Sequence, residues 1–254
     1  MNRGFLLTLL LLGIGCTPSE EAEVPATIET VSQEITFDSV SRLGPHHGVA
    51  DITRTETRDG AEPRETTESI DVAWNSWTSF HFQRLVEGEP TFEVIAHNGR
   101  ASSRDGRGPW RPDLDGEMAR MDVYTKWNAW DEALGSFRDR ITFEDIGDTV
   151  VDGRPARRFK VGLAQLSERA QRRNNDRRLM PHRIEGEVLL DKATAVRLRA
   201  NIEAIEKKVG LTRRTVLSIR RTAIGETQSI SSPELPVSKP GAQLRRMPKR
   251  PRPE

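Results

Sequence analysis

The chain has one cysteine and one tyrosine, and none of its apolar stretches reaches the roughly 20 residues that a membrane-crossing helix needs. One cysteine excludes an internal disulfide and every zinc site built on paired cysteines. Net charge is scarce as well: 39 Lys+Arg stand against 38 Asp+Glu in 254 residues, leaving +1 at pH 7. Such a balance excludes strong electrostatic binding by the chain as a whole, and no nucleic-acid partner is expected. Charged residues at 30% and a mean hydropathy of −0.61 exclude a bundle of spanning helices. Enzyme signatures are missing too. There is no Gly-Xaa-Ser-Xaa-Gly elbow, no His-Glu-Xaa-Xaa-His, no dinucleotide fingerprint and no phosphate loop ending in Gly-Lys-Ser/Thr. No catalytic residue and no cofactor is therefore expected.

The first sixteen residues are the most telling. Arg3 precedes an apolar run from Phe5 to Leu12, broken only by Thr8, and Gly13-Ile14-Gly15 leads into Cys16. The run is too short to span a bilayer but fits the apolar core of a signal peptide, with a small residue before the cleavage point. The Gly15-Cys16 junction resembles a bacterial lipoprotein signal, in which the cysteine receives a diacylglycerol and a further fatty chain such as palmitate. The position three before the cysteine, usually Leu in that signal, is Gly13 here. An ordinary secretory peptide with an incidental cysteine is the other reading. Removing residues 1–15 takes away Arg3 and leaves basic and acidic residues in balance. Lipid on Cys16 would anchor the chain, each buried CH₂ contributing about 0.8 kcal/mol. Thr17 rather than Asp follows the cysteine. By analogy with Gram-negative lipoproteins, this implies an outer-membrane location facing the periplasm.

Residues 16–33 read as a lipid-anchored, flexible tether, polar and punctuated by Pro18 and Pro25. At the other end, residues 233–254 carry Pro233, Pro236, Pro240, Pro248, Pro251 and Pro253, a density that prevents helix and central strand alike. The basic residues there (Lys239, Arg245, Arg246, Lys249, Arg250, Arg252) make this disordered tail a candidate for an anionic envelope polymer or a solvated end. A single domain is expected over 34–232.

Within that domain, apolar residues mostly alternate with polar ones. The runs are Ile35-Phe37-Ser39, Val49 to Asp59-Gly60, Ile70-Val72-Trp74, Trp77 to Leu85, and Phe92-Val94-Ala96 up to Asn98-Gly99. After residue 140 come Ile141-Phe143-Asp145, Thr149 to Gly153, Ala156 to Leu163, Ile184 to Leu190, Val196 to Val209, and Val216 to Gly225. This pattern predicts roughly ten short antiparallel strands with one face buried and one in water. In the fourth run, Trp77 with Phe80 and Phe82 puts aromatics on both faces.

The segment from Gly116 to Arg140 differs. Met118, Met121, Tyr124, Trp127, Trp130, Leu134 and Phe137 recur every three or four residues, which predicts a helix capped at Asp113 or Asp115. Met121, Trp127, Trp130 and Phe137 give a broad apolar face. It either packs as core or lines a cavity for an acyl chain. A second, charged helix is expected near 166–178, as an exposed insertion. The Arg104–Arg111 stretch, rich in Gly and Arg, offers either an anion-binding loop or a hairpin exit into the helix. His46 and His47 would point to opposite faces of a strand, so no metal site is expected from them.

A tether followed by a meander of about ten strands with one aromatic-rich helix in the middle resembles the LolA/LolB-like lipoprotein-carrier fold and the lipid-carrying lipoproteins that share it. The stretches that carry the likeness are Gly186-Glu187-Val188-Leu189-Leu190-Asp191 and Ile224-Gly225 to Pro233. The resemblance implies a mainly β fold with α: a curved antiparallel sheet, an incomplete barrel, wrapped around a central helix. It also implies an apolar ligand, either a lipid or an acylated protein, held between sheet and helix without catalysis. A scaffolding lipoprotein with a filled core is the alternative. Growth with a clickable palmitate should label the wild-type chain in membranes, and Cys16→Ser should abolish the label; equal absence of label in both would remove the anchor.

Overall fold

The computed structural model describes residues 26–32, 41–113, 123, 128–165 and 178–233. The expected strand at Ile35–Ser39 and the expected helix near 166–177 lie outside this set, as do Cys16, Met121, Trp127 and the tail beyond Pro233.

Eleven strands form one antiparallel sheet. They are β1 His46–Arg58, β2 Arg64–Ser76, β3 Ser79–Val86, β4 Glu89–His97, β5 Arg100–Asp105, β6 Arg111–Asp113, β7 Ile141–Val151, β8 Arg154–Leu163, β9 Met180–Asp191, β10 Arg197–Lys208 and β11 Leu211–Thr222. Their order across the sheet is β6-β5-β4-β3-β2-β1-β11-β10-β9-β8-β7. Two meanders are thus joined where β1 pairs with β11, from His47↔Thr222 to Arg58↔Leu211. Among the described residues the edge strands are β6 and β7, and the chain between them carries the helical segment.

Alternation sets the inner face. Ile70, Val72 and Trp74 on β2, Phe80 and Phe82 on β3, Ala200, Ile202 and Ala204 on β10, and Leu217 and Ile219 on β11 are all buried in one cluster. The same cluster takes in Phe92 and Val94 from one half, and Phe159 and Val161 from the other. One cluster shared by both halves of an eleven-stranded sheet requires the sheet to curve, as twisted sheets do. Trp77 departs from the expected two-faced pattern. It sits in the turn between β2 and β3 and packs edge-on against Trp74 at 4.9 Å and 86°, so its ring joins the inner core.

Turn chemistry is where the sequence expects it: Asn98 and Gly99, both at positive φ (51° and 78°), close the β4–β5 hairpin. The two runs expected around Gly147 are a single strand, β7, whose register slips between Asp145 and Gly147. The Arg104–Arg111 stretch does not lead into a helix; it turns from β5 into β6.

The helix expected over 116–140 is found in part. Val123 is helical and buried. Helix α2, Ala129–Leu134, is capped by Asn128, whose Oδ1 accepts from the Asp131 amide at 3.2 Å. It tightens at Gly135 into a 3-10 turn that runs to Arg140. Of the expected caps, Asp113 ends β6 and Asp115 lies outside the described residues. A short helix α1, Ile28–Ser32, lies within the stretch read as tether, with Val31 fully buried in the core.

The Gly186-to-Asp191 stretch has a structural reason at each end. Gly186 has φ of 145°, and a Cβ there would fall 2.0 Å from the Asn201 carbonyl oxygen. Asp191, 2% exposed, accepts from Arg154 Nε at 2.8 Å and from the Thr194 amide and hydroxyl at 2.9 Å each, which fixes the β9–β10 turn. Gly186→Ala should therefore destabilise the protein by about 2 kcal/mol or more, read as a lower urea midpoint. An unchanged midpoint would show that β9 and β10 can separate at no cost.

Candidate functional site on the inner face of the sheet

Helix α2 packs over β1 and β11, the two central strands, and the 3-10 turn reaches β9. Beneath it, the strand register aligns Phe92, Arg84, Ile70, Ala50, Ile219, Ala200, Val188 and Phe159 in a row across the sheet. The next row holds Glu68, Ile52, Leu217, Ile202, Gly186 and Val161. Each row is apolar save for one charge near the helix, Arg84 in the first and Glu68 in the second.

These charges bind the helix. Glu132 of α2 accepts from Arg84 Nη2 at 2.6 Å, and its backbone oxygen accepts from Arg54 Nη2 at 3.0 Å. Glu68, 6% exposed, lies 2.7 Å from Arg84 Nε and 3.6 Å from Arg54 Nη1. The 2.7 Å contact is off the hydrogen-bond axis, so it acts as an ion pair. Burial, and then the nearby Glu68 carboxylate, raise the Glu132 pKa above its ordinary value against the pull of Arg84. A cavity of about 490 Å³ opens beside this cluster, lined by Arg54, Glu56, Arg64, Thr66, Glu132 and Arg213. Its lining is charged, not apolar.

At the other side of α2 the contacts are aromatic. Trp130 is half-buried and lies near-parallel to Phe143, with centroids 6.4 Å apart and planes at 29°. The Arg197 guanidinium stands 4.3 Å from the Trp130 ring centroid. Phe137, at 1% exposure, belongs to the core together with Ala129, Ala133 and Leu134. Of the four residues expected to meet a ligand, Trp130 and Phe137 are thus placed under or beside the helix, Phe137 as packed core and Trp130 at a partly open position. Met121 and Trp127 lie outside the described residues.

Three basic side chains on the inner side, His46, Arg197 and Arg221, are buried at 0%, 2% and 4% exposure. Arg197 donates to the Val31 carbonyl of α1 at 2.9 Å, and Arg221 Nη1 donates to the Arg197 carbonyl. His46 Nδ1 donates to the Gly44 carbonyl at 2.9 Å. Sequence reasoning weighed His46 only as a metal ligand, and it missed Arg197, Arg221 and the Arg54–Glu68–Arg84–Glu132 cluster. A signal was there: Glu68 shares the parity of Ile70 and Val72, Arg84 that of Phe80 and Phe82, and Arg221 that of Leu217 and Ile219.

The remaining candidates are on the outer face or in turns. His47 points away from His46 and bonds Asp71 at 3.0 Å. His81 bonds Glu93 at 2.7 Å. In the Arg104–Arg111 turn, Arg104 is paired with Glu93 and stands 4.5 Å over Trp110; Arg107 meets Glu89 at 2.7 Å, and Arg111 meets Asp105. Each arginine of this turn that pairs does so within its own hairpin neighbourhood. Among the described residues no group of three His, Cys, Asp or Glu is arranged to hold a metal.

No protein-family model matches the chain, and no curated protein matches it. Solved structures similar to it include the lipoprotein LppX of Mycobacterium tuberculosis, at 10% identity and a TM-score of 0.32, covering 80% of this chain and 97% of that one. LprF from Mycobacterium bovis aligns at 12% identity and a TM-score of 0.31, over 83% and 99% of the two chains. A LolA superfamily protein from Nitrosomonas europaea aligns at 8% identity and a TM-score of 0.22, over 78% and 93%.

The charge cluster under α2 gives a clear mutational sign. A raised carboxyl pKa means that the folded state favours the protonated form, so this contribution is present at low pH and lost as pH rises through the folded value. Glu132→Gln should leave stability at pH 7 unchanged or raise it by about 1 kcal/mol or less. Arg84→Met strips Glu132 of its ion pair and leaves Glu68 only the 3.6 Å contact with Arg54, and it should cost about 2 kcal/mol, partly restored by adding Glu132→Gln. Urea unfolding of the three variants checks this; an additive double variant would show that the residues do not act together.

Proposed function

We propose that this chain is a lipid-anchored cell-envelope protein that binds an apolar ligand, a lipid or an acylated protein, between its sheet and its helix, without catalysis. In this reading Cys16 carries the anchor, in the outer membrane facing the periplasm. The sheet acts as an incomplete barrel around the helical segment, and Met121, Trp127, Trp130 and Phe137 meet the ligand's chain. The basic tail beyond Lys239 would rest on an anionic envelope polymer.

The observation that carries the reading is how α2 is held. Only one face of this six-residue helix is apolar packing. Its flanks are fastened by the Glu132 ion pairs on one side and by the Trp130–Arg197 contact on the other. Ion pairs reform in water at little cost, whereas buried apolar contacts do not. In this reading the helix lifts to uncover the apolar sheet, and the ligand's chain replaces the buried contacts of Ala129, Ala133 and Leu134.

A second reading, a scaffold with a filled core, is favoured by Phe137 and Leu134 at 1% exposure each and by the charged lining of the cavity beside α2. The two separate on one experiment. The purified full chain is extracted with organic solvent for mass spectrometry and titrated with a fluorescent fatty acid. A carrier should yield stoichiometric lipid or saturable binding, and Trp130→Ala should weaken that binding about tenfold, equivalent to about 1.4 kcal/mol, while the urea midpoint shifts little. Neither extracted lipid nor saturation would leave the scaffold.

A further inference from the structure

Among the described residues, Arg221 is a buried cation without an acid. It lies on the inner side of β11, opposite Gly48 of β1 in register, and its one hydrogen bond goes to the Arg197 carbonyl. No carboxylate among the described residues pairs with it, and its Nε has no partner. His46, two residues before Gly48 and on the same face, is bare at the other end of its ring. Nδ1 holds the proton shared with Gly44, so Nε2 presents a lone pair that no described residue meets. The two side chains flank the same glycine: a Cβ at Gly48 would lie 3.8 Å from Arg221 Cγ and 3.9 Å from His46 Cδ2.

Buried donors and acceptors in native chains are almost always satisfied, and a buried guanidinium is costly unless an anion faces it. Burial lowers the Arg221 pKa to about 10, so the group stays charged at neutral pH. Burial and the Arg221 charge together push His46 down to about 4, so it stays neutral and accepts. The local demand is therefore for a group that brings negative charge and oxygen acceptors to the arginine and an O–H to the histidine. A phosphate monoester monoanion meets both demands, whereas a carboxylate meets only that of the arginine. Arg197, beside this pair, is overlaid by Trp130 of α2 and held by Val31 of α1. The basic group thus lies beneath the helices that the proposed ligand must displace.

We propose that the floor at Gly48, between His46 and Arg221, seats an oxyanion head group, phosphate or carboxylate, of the ligand whose acyl chain lies along the inner face. The proposal rests on the carrier reading and narrows its ligand from any apolar molecule to an anionic amphiphile.

The test uses the full chain carrying Cys16→Ser and displacement of a fluorescent acyl probe by single-chain lipids of equal length. Lysophosphatidate and oleate should compete at least tenfold better than neutral mono-olein. Arg221→Met should erase that advantage, leave mono-olein unchanged and melt no lower than the parent. His46→Asn, which keeps the bond to Gly44 but loses Nε2, should reduce the lysophosphatidate advantage several-fold and serves if the arginine variant fails to fold. Equal competition by all three lipids, or an advantage that survives in both variants, overturns the head-group seat while the carrier reading stands. No competition by any lipid overturns the carrier reading. Inorganic phosphate is the control for the source. Thermal stabilisation by phosphate that depends on Arg221 supports the oxyanion seat and assigns it to a free anion, whereas no effect of phosphate beside tight lysophosphatidate supports the lipid head group.

Discussion

The pairing of β1 with β11 is the constraint on which the rest of the molecule depends. It joins the first strand to the last and turns two separate meanders into one sheet with one inner face. Both strands lie directly under α2. They also bring together residues from opposite ends of the chain: Arg54 from β1 to the helix backbone, and Arg221 from β11 to His46 and Gly48 of β1. Contacts of such sequence separation form late, because loop-closure entropy opposes them until both partners exist. The inner surface cannot be completed until residue 222 is free to pair.

The inner surface combines two kinds of adhesion. Most of it is aliphatic and aromatic packing, continuous from Phe92 to Phe159 across the sheet. The helix adds charge to the packing of Ala129, Ala133 and Leu134. Arg54 and Arg84 each reach both a sheet carboxylate and the helix, so the four side chains bear on the docked position of α2 rather than on the strands, which backbone hydrogen bonds already hold. Buried charge is a poor source of stability but a good source of specificity, since the wrong position leaves ions unmet. The basic group of Arg221, Arg197 and His46 has the same character with one member lacking a counter-charge.

Much of this was legible in the residues, and the failures have physical causes. Alternation found nine of the eleven described strands in outline, because one-sided burial writes a period of two into any such sheet; the short strands β5 and β6 carry too few apolar residues to show it. Gly186 and Asp191 stood out as a motif, and the structure assigns them to close strand approach and to a turn. The helix was read as unbroken from 116 to 140. A three-four spacing of apolar residues marks which side chains face inward, but it does not reveal that Asn128 starts α2 afresh as its cap or that Gly135 tightens the following turn. Residues 28–32 were read as tether because a single helical turn is too short to show a period; Val31 is held by tertiary contacts with Arg197 and the core. The charged members of the inner face were overlooked for a simpler reason: a lone charge in an apolar phase looks like noise until register places Arg84, Glu68 and Glu132 side by side.

The two edge strands of the sheet are unequal. β6 is three residues long, whereas β7 spans eleven and offers Val150 at 66% exposure. Along β7 the register slips at Ile146, Gly147 takes φ of 104°, and Asp145 and Asp148 stand beside it, bound to Arg157 and Lys192. A neighbouring molecule laid against that strand would lose alignment at the kink and meet fixed carboxylates. Even where crowded, copies of this protein would stay separate instead of growing edge to edge into fibres.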